Sequence, residues 1–196
     1  MICFAVQSYS KKRERKSSPT KFGNGLRTLT VRGRPGVPAQ GLLNAGGNVF
    51  RCALGRSGIS SGKREGDGAT PLGAMRLLGG YLRGRSFQHR SRLRLLPIRP
   101  DLGWCEVPDD RNYNRPVRIP YPASHESMLR PDNLYDACIV LDWNIRPRRR
   151  DGGSAIFLHL VRPGFAPTQG CVAVSAAVMA RLLPLLSPRT VLLVRR

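Results

Sequence analysis

The hydrophobic positions fall in short runs bounded by glycine and proline, a pattern typical of β-strands joined by tight turns. The run at 137–142 is continuous and β-branched, which predicts a strand buried on both faces. Near the C-terminus, Ser175 is a good N-cap, and apolar residues at helical spacing predict a short helix that ends at Pro184. The predicted strands cover residues 26–32, 48–54, 75–78, 93–98, 137–142, 154–160 and 190–194.

The chain of 196 residues suits one domain with a core large enough to fold unaided. Residues 1–24 are polar and basic and predict a disordered leader, so the domain is expected over 25–196. No stretch approaches the roughly 18–20 apolar residues of a membrane helix. No export signal is visible either, because the apolar start precedes the basic part. The proline- and arginine-rich segment 101–135 contains three aromatic residues and predicts a lid or pocket wall.

The formal net charge of +21 raises the question of an anionic partner. The two dense basic runs, at 11–16 and 146–150, lack the interleaved aromatic residues of a single-strand binding platform. We therefore expect no specific nucleic-acid binding. Nonspecific attraction to an anionic polymer or membrane surface stays open.

The five cysteines are far apart in the sequence, and none forms a close pair of the kind that binds metal. No cluster of histidine and acidic residues completes a metal site, and we expect neither a metal nor a cofactor. Because five is an odd number, at least one thiol must be unpaired within the chain. The cysteines are Cys3, Cys52, Cys105, Cys138 and Cys171.

Cys171 follows Gly170, which lets the backbone approach a substrate and could turn its N–H toward a developing oxyanion. From its local sequence alone, Cys171 could equally be an inert buried thiol. His159 lies in the apolar strand 154–160, where an imidazole needs a polar partner. Two adjacent strands could bring imidazole and thiol together, and a neighbouring imidazolium would favour the thiolate.

These residues resemble the L,D-transpeptidase family (the YkuD-type catalytic domain), whose signature is a strand histidine followed by Ser/Thr-x-Gly-Cys. His159 and the block 168–171 match that signature. Residues 66–73 look like the family's upstream Thr-Pro-x-Gly loop, and residues 110–115 and 153–159 resemble one bacterial branch of the family. The resemblance covers about residues 26–196.

The resemblance implies a mainly β fold, a mixed-sheet β-sandwich with short peripheral helices. It implies Cys171 as nucleophile, His159 as general base and acid, and a Gly170 N–H that binds the oxyanion. The chain departs from many members at Gln169 and Ala173, which puts the acceptor in doubt. Polar contacts to the substrate are then expected from Thr168, Gln169, Arg111, Asn112, Tyr113 and Asn114.

The implied substrates are peptidoglycan stem peptides. A donor tetrapeptide would release D-alanine, form a Cys171 thioester and yield a 3–3 crosslink, which places the protein in the periplasm or cell envelope. One alternative is a carboxypeptidase or amidase in which water takes the acyl group. Another is a non-catalytic, basic cell-wall-binding module.

Overall fold

The computed structural model describes residues 25–84, 87 and 91–196 of the chain. The leader predicted for residues 1–24 lies outside the described residues. The described strands, in chain order, are β1 Thr28–Arg34, β2 Val37–Ala45, β3 Asn48–Ala53, β4 Ile59–Ser60, β5 Thr70–Pro71, β6 Gly73–Leu82, β7 Leu95–Pro97, β8 Leu102–Cys105, β9 Arg115–Arg118, β10 His125–Ser127, β11 Ala137–Leu141, β12 Phe157–Leu160, β13 Val172–Val174 and β14 Val191–Arg195.

Nine of these strands form one mixed sheet in the order β11-β12-β13-β3-β2-β1-β14-β6-β7. An additional antiparallel pairing of β11 with β6 closes the sheet into a barrel, and β7 lies outside the closure beside β6. The mainly β class is confirmed, but the predicted sandwich is wrong. Closure leaves the barrel strands without free edges, which local sequence patterns do not reveal.

Closure of the barrel depends on two consecutive glycines in β6. Gly80 lies opposite Ile139 of β11, and a Cβ at Gly80 would come within 2.2 Å of the Cys138 carbonyl oxygen. Gly79 has a φ of +128°, a backbone conformation that favours glycine. The prediction of a strand that ended at Leu78 was therefore too short, because these glycines continue the strand instead of ending it.

The barrel interior is filled by the alternate side chains of its strands, among them Leu29, Leu77 and Leu158. A short helix, α1 Ala176–Leu182, adds Met179 and Leu182 to this core. The predicted N-cap is confirmed, since the Ser175 side chain accepts a hydrogen bond from the Val178 N–H. Two 3₁₀ turns cover Pro163–Phe165 and Leu183–Leu185.

A second apolar cluster covers the outer face of β11 and β12. All five residues of β11 are buried, which confirms the strand predicted to be buried on both faces. The covering layer comes from segment 101–135, which forms a three-stranded sheet in the order β10-β8-β9, here called the small sheet. Trp104 of this sheet packs edge-on against Phe157 of β12, with ring centroids 5.0 Å apart.

The strands at 48–54, 137–142 and 190–194 were predicted within one or two residues of β3, β11 and β14. Strand β2 was missed because Pro38 and Gly41 interrupt its pattern. The turn at Gly46–Gly47 connects β2 to β3. Within the residues that the structure describes, no helix has the length and apolar character needed to cross a membrane.

We predict that Gly80→Ala destabilises the fold by about 1–3 kcal/mol, because its methyl group would overlap backbone atoms of β11. For a chain of this size that loss lowers the midpoint of thermal unfolding by roughly 2–4 °C per kcal/mol. Gly62→Ala is the matched control, since a Cβ there meets no atom within 4 Å. Equal midpoints for the two variants, measured by circular dichroism, would show that the barrel closure tolerates a side chain at Gly80.

Candidate active site

Cys171 lies directly before β13, at the end of a tight turn. Gly170 has a φ of +136°, and a Cβ at this position would lie 2.8 Å from the Ala69 carbonyl oxygen. Glycine is therefore required both by conformation and by space. The upstream Thr-Pro-x-Gly loop, through Ala69, therefore lies directly against the turn that positions the thiol.

Thr168 holds this turn together with its side chain. Its Oγ1 accepts a hydrogen bond from the Gly170 N–H at 3.2 Å and donates one to the Cys171 carbonyl at 2.7 Å. The backbone of Thr168 is fixed in turn by the Leu54 carbonyl, which accepts from its N–H at 2.9 Å. The Gly170 N–H, expected to bind an oxyanion, is thus engaged by Thr168 in this structure.

The thiol of Cys171 makes two hydrogen bonds, one to the chain just before β12 and one to the first residue of β12. Its Sγ donates to the Ala155 carbonyl at 3.1 Å and accepts from the Phe157 N–H at 3.3 Å. Ala155 has a φ of +51°, a conformation that residues with a side chain seldom adopt. Something must therefore hold the backbone at Ala155.

Asn114 supplies that support from the end of the loop before β9. Its Oδ1 accepts hydrogen bonds from the Ala155 N–H and from the Trp104 indole, both at 3.0 Å. Its Nδ2 donates to the carbonyl oxygens of Trp143 and Asn144 at 3.1 and 3.0 Å. Asn114 is 1% exposed and uses both ends of its amide, so it positions Ala155.

His159 lies on the same face of the sheet as Cys171. Strands β12 and β13 pair in parallel, with Leu158 beside Val172 and His159 beside Ala173, so Cys171 falls beside Phe157. The side chains of residues 157, 159 and 171 therefore point out of the barrel, toward the small sheet. Among the hydrogen bonds of the described residues, none joins the imidazole to Sγ.

The His159 ring is fixed in one tautomer. Its Nδ1 lies 2.7 Å from the Leu160 carbonyl oxygen, which can only accept, so Nδ1 carries the proton and Nε2 is left as an acceptor. The ring of Tyr135 packs edge-on against the imidazole, with centroids 5.3 Å apart. The geometry leaves Nε2 as the basic atom.

Burial keeps both groups neutral. Removal from water raises the pKa of Cys171 to about 12, against the lowering effect of the Phe157 N–H, while nearby Glu126 raises the pKa and Lys63 lowers it. Burial also lowers the pKa of His159 to about 4, although the Leu160 carbonyl opposes that change. The sequence led us to expect an imidazolium at His159 that stabilises a thiolate at Cys171. In the resting protein both groups are neutral instead.

Cys171 and His159 line one cavity of about 350 Å³, here called the Cys171 cavity. Thr168 and Gln169 line it too, and Gln169 Oε1 accepts a hydrogen bond from Arg56. The wall opposite β12 comes from segment 101–135 and its end, including Leu134 and Tyr135. The charged residues of the lining are Lys63, Glu65, Glu106, Glu126, Arg130 and Arg162.

The other four residues expected to bind substrate are not brought to this cavity. Arg111 and Tyr113 line a separate depression of about 320 Å³. Asn112 donates a hydrogen bond to the Tyr121 hydroxyl at 2.9 Å, and Asn114 is buried beneath the site. Two residues of this run contact the site from behind: the Tyr113 hydroxyl donates to Glu65 at 2.5 Å, and Asn114 accepts from the Ala155 N–H.

Lys63 was missed by the sequence analysis. Its side chain is 2% exposed, and its Nζ donates to Asp67 at 2.5 Å and to the Arg64 carbonyl at 2.6 Å. Asp67 Oδ1 accepts further from the Ala69 N–H, which fixes the loop that touches Gly170. The sequence signal was an isolated lysine near the Thr-Pro-x-Gly loop, which composition does not distinguish from a surface lysine.

Tyr135 and Glu126 were also missed, because segment 101–135 has no periodic pattern that shows which of its side chains face inward. Within residues 25–84, 87 and 91–196, no group of three or more His, Cys, Asp or Glu side chains could hold a metal ion. Each cysteine in these ranges is an unpaired, buried thiol.

Enzymes with a cysteine nucleophile place a base close to the thiol. Here Cys171 and His159 line one cavity, without a hydrogen bond between them among the described residues. The model of the L,D-transpeptidase catalytic domain (YkuD) matches residues 38–194. The chain therefore belongs to the YkuD family, whose members act on the peptides of peptidoglycan. No curated protein and no solved structure matches the chain.

We predict that Asn114→Ala destabilises the protein by about 2–4 kcal/mol, because it leaves several buried polar groups without partners. Asn133→Ala is the matched control, since Asn133 also has a positive φ, of 59°, but is exposed. Chemical denaturation of both variants measures the difference. Equal losses would mean that the backbone conformation, and not the buried hydrogen bonds, accounts for the effect of Asn114.

We also predict that the alkylation rate of native Cys171 by iodoacetamide rises tenfold per pH unit up to about pH 11. Only the thiolate reacts, and burial raises the pKa to about 12. In the chain unfolded by guanidinium the rise should level off near the ordinary thiol pKa of about 9. Peptide mapping by mass spectrometry gives both profiles, and a native plateau below pH 8 would indicate a resting thiolate instead.

Proposed function

We propose that the chain is a peptidoglycan L,D-transpeptidase that forms 3–3 crosslinks between stem peptides through a thioester on Cys171. The observation that carries this proposal is the shared cavity of Cys171 and His159, with Nε2 left as the acceptor. The acyl donor is a tetrapeptide, the attacked carbonyl is that of its third, diaminopimelate residue, and D-alanine leaves. Family membership supports the reaction class.

The first step is proton transfer from a neutral thiol to a neutral imidazole. The thiol hydrogen must turn from the Ala155 carbonyl toward Nε2 as the donor carbonyl approaches Sγ. The new S–C bond forms as the proton reaches the imidazole, and the carbonyl electrons move onto oxygen. The low pKa of His159 leaves the imidazole unprotonated at neutral pH but also weakens it as a base, so proton transfer must accompany the attack on the carbonyl.

The negative charge on that oxygen needs donors close to Sγ. The Cys171 N–H is one candidate, and the Gly170 N–H becomes a second if it exchanges Thr168 Oγ1 for the oxyanion. The Thr168 hydroxyl would keep its bond to the Cys171 carbonyl during this exchange. Thr168 therefore acts on the oxyanion site through the turn.

Collapse of the tetrahedral intermediate breaks the C–N bond, and the imidazolium at His159 gives its proton to the departing D-alanine nitrogen. The thioester that remains is resolved by an amine of a second stem peptide, which loses a proton to His159 as the C–N bond forms. The C–S bond then breaks, and the proton on His159 returns to Sγ, which regenerates the thiol. A peptidoglycan substrate places this reaction in the cell envelope.

Purified donor tetrapeptide, incubated with the protein, tests the proposal by product analysis. We expect crosslinked dimer and free D-alanine, and we expect Cys171→Ala to reduce dimer formation by at least a thousandfold. Cys52→Ala is the matched control, because Cys52 is buried in the barrel core away from the cavity. Crosslinking by Cys171→Ala would refute the assignment of the nucleophile.

Two other outcomes correspond to the alternative functions. Trimmed monomer without dimer would identify water as the acceptor, and the protein would be a carboxypeptidase or amidase. A carbapenem that leaves the Cys171 thiol unmodified, together with no peptide product, would favour a non-catalytic cell-wall-binding module. Acylation of Cys171 by the carbapenem is the expected result.

A further inference from the structure

The Cys171 cavity contains more negative charge than the rest of the molecule would suggest. The chain has 33 lysines and arginines but only four glutamates. Three of those four, Glu65, Glu106 and Glu126, line this one cavity. Carboxylates gathered in a cavity of a strongly basic protein indicate a ligand that carries positive charge.

The register of the small sheet places two of these glutamates together. Glu126 pairs with Trp104, and Glu106, which follows β8, donates its N–H to the Ser124 carbonyl at 3.4 Å. Residues 104, 106, 124 and 126 thus share one face of the small sheet. Glu106 and Glu126 occupy diagonal positions on it, where backbone positions are about 7–8 Å apart. Because Trp104 packs on Phe157, this face is the one that looks toward Cys171.

The contacts within the protein leave both carboxylates able to accept more hydrogen bonds. Glu106 Oε1 accepts one from the Ser124 hydroxyl at 2.8 Å, and Glu126 Oε1 accepts one from Arg130 Nη1 at 2.9 Å. Arg130 already pairs with Asp132, to which it donates hydrogen bonds from Nε at 2.9 Å and from Nη2 at 2.7 Å. The Tyr135 hydroxyl also makes a hydrogen bond to Glu126, whose pKa is raised by burial. An ionised carboxylate has roughly four acceptor positions, so capacity remains on each glutamate.

The part of the cavity wall next to the small sheet is short of one positive charge. Glu106 and Glu126 of the lining, with Asp132, which pairs with both arginines, carry three negative charges against the two positive charges of Arg130 and Arg162. Lys63, the third basic residue of the lining, is matched by Asp67. An incoming monocation would balance this wall. A primary ammonium group fits, because it donates three hydrogen bonds and the two glutamates offer free acceptors.

We propose that Glu106 and Glu126 form a subsite that binds a primary ammonium group of a stem peptide beside Cys171. This inference rests on the proposed function, because it assumes that a peptide enters the cavity. The ammonium group has two possible sources, the side chain of the donor's third residue or the amine of the acceptor. Either source places the cation on the wall opposite His159.

Binding of the donor can be measured without chemistry. In a Cys171→Ala background, calorimetry compares a tetrapeptide whose third-residue side-chain amine is free with one in which that amine is acetylated. For a donor ammonium, we expect the free amine to bind about tenfold more tightly, the typical effect of one charge-assisted hydrogen bond. Glu106→Gln should abolish that preference.

Asp101→Asn is the matched control. It removes the same charge from the same segment, but Asp101 is paired with Arg99 and Arg118 outside the cavity. This variant should keep the full preference for the free amine. Glu126→Gln provides a second test of the subsite. This variant also frees Arg130 from one partner, but any general effect of that change cancels when the free and the acetylated peptide are compared within the same variant.

The acceptor is examined in the Cys171-containing protein by separating its two half-reactions. If the ammonium group comes from the acceptor, Glu106→Gln raises the KM for the acceptor about tenfold, whereas Asp101→Asn does not. Acylation by a carbapenem shows independently that the nucleophile is intact.

The inference is overturned if both glutamate variants keep the donor preference and the acceptor KM of the unmodified protein while a carbapenem still acylates Cys171. That result would leave the proposed function standing. If neither the peptide nor the carbapenem acylates the unmodified protein, the proposed function fails. If calorimetry then also shows no preference for the free amine, the subsite is refuted as well.

Discussion

The hydrogen bond from the Cys171 thiol to the Ala155 carbonyl is the contact on which the site depends. It requires Ala155 to hold a positive φ and Gly170 to turn the chain where a side chain has no room. Asn114 secures the first of these conditions and Thr168 the second. Both supports are buried or partly buried polar groups with satisfied hydrogen bonds, so the thiol is presented by a rigid frame.

The barrel and the small sheet have separate tasks in this arrangement. Pairing of β12 with β13 sets Cys171 and His159 on the outer face of the barrel, where water would otherwise reach them. The small sheet covers that face through Trp104, and the segment that follows it adds Tyr135 against the imidazole. Burial then lowers the pKa of His159 and raises that of Cys171, so the pair is neutral until a substrate arrives.

The sequence indicated the elements that are specified locally. β11 was recognisable because its residues are apolar on both faces, and the Ser175 cap because capping is a contact within one turn. Closure of the barrel was not recognisable, since it depends on the close approach of Gly80 to Cys138, which is distant from it in the sequence. Likewise, the Arg-Asn-Tyr-Asn run matched a family pattern, but nothing in its composition showed that Asn114 would point at Ala155 instead of a substrate.

The central claim is that Cys171 carries the acyl group. Mass spectrometry of the protein mixed briefly with donor tetrapeptide and no acceptor tests it most directly. The account predicts a mass gain equal to the tripeptide acyl group, located on Cys171 and removed by hydroxylamine as a thioester would be. An unmodified Cys171 under conditions where D-alanine is released, or an adduct on another residue, would contradict the account.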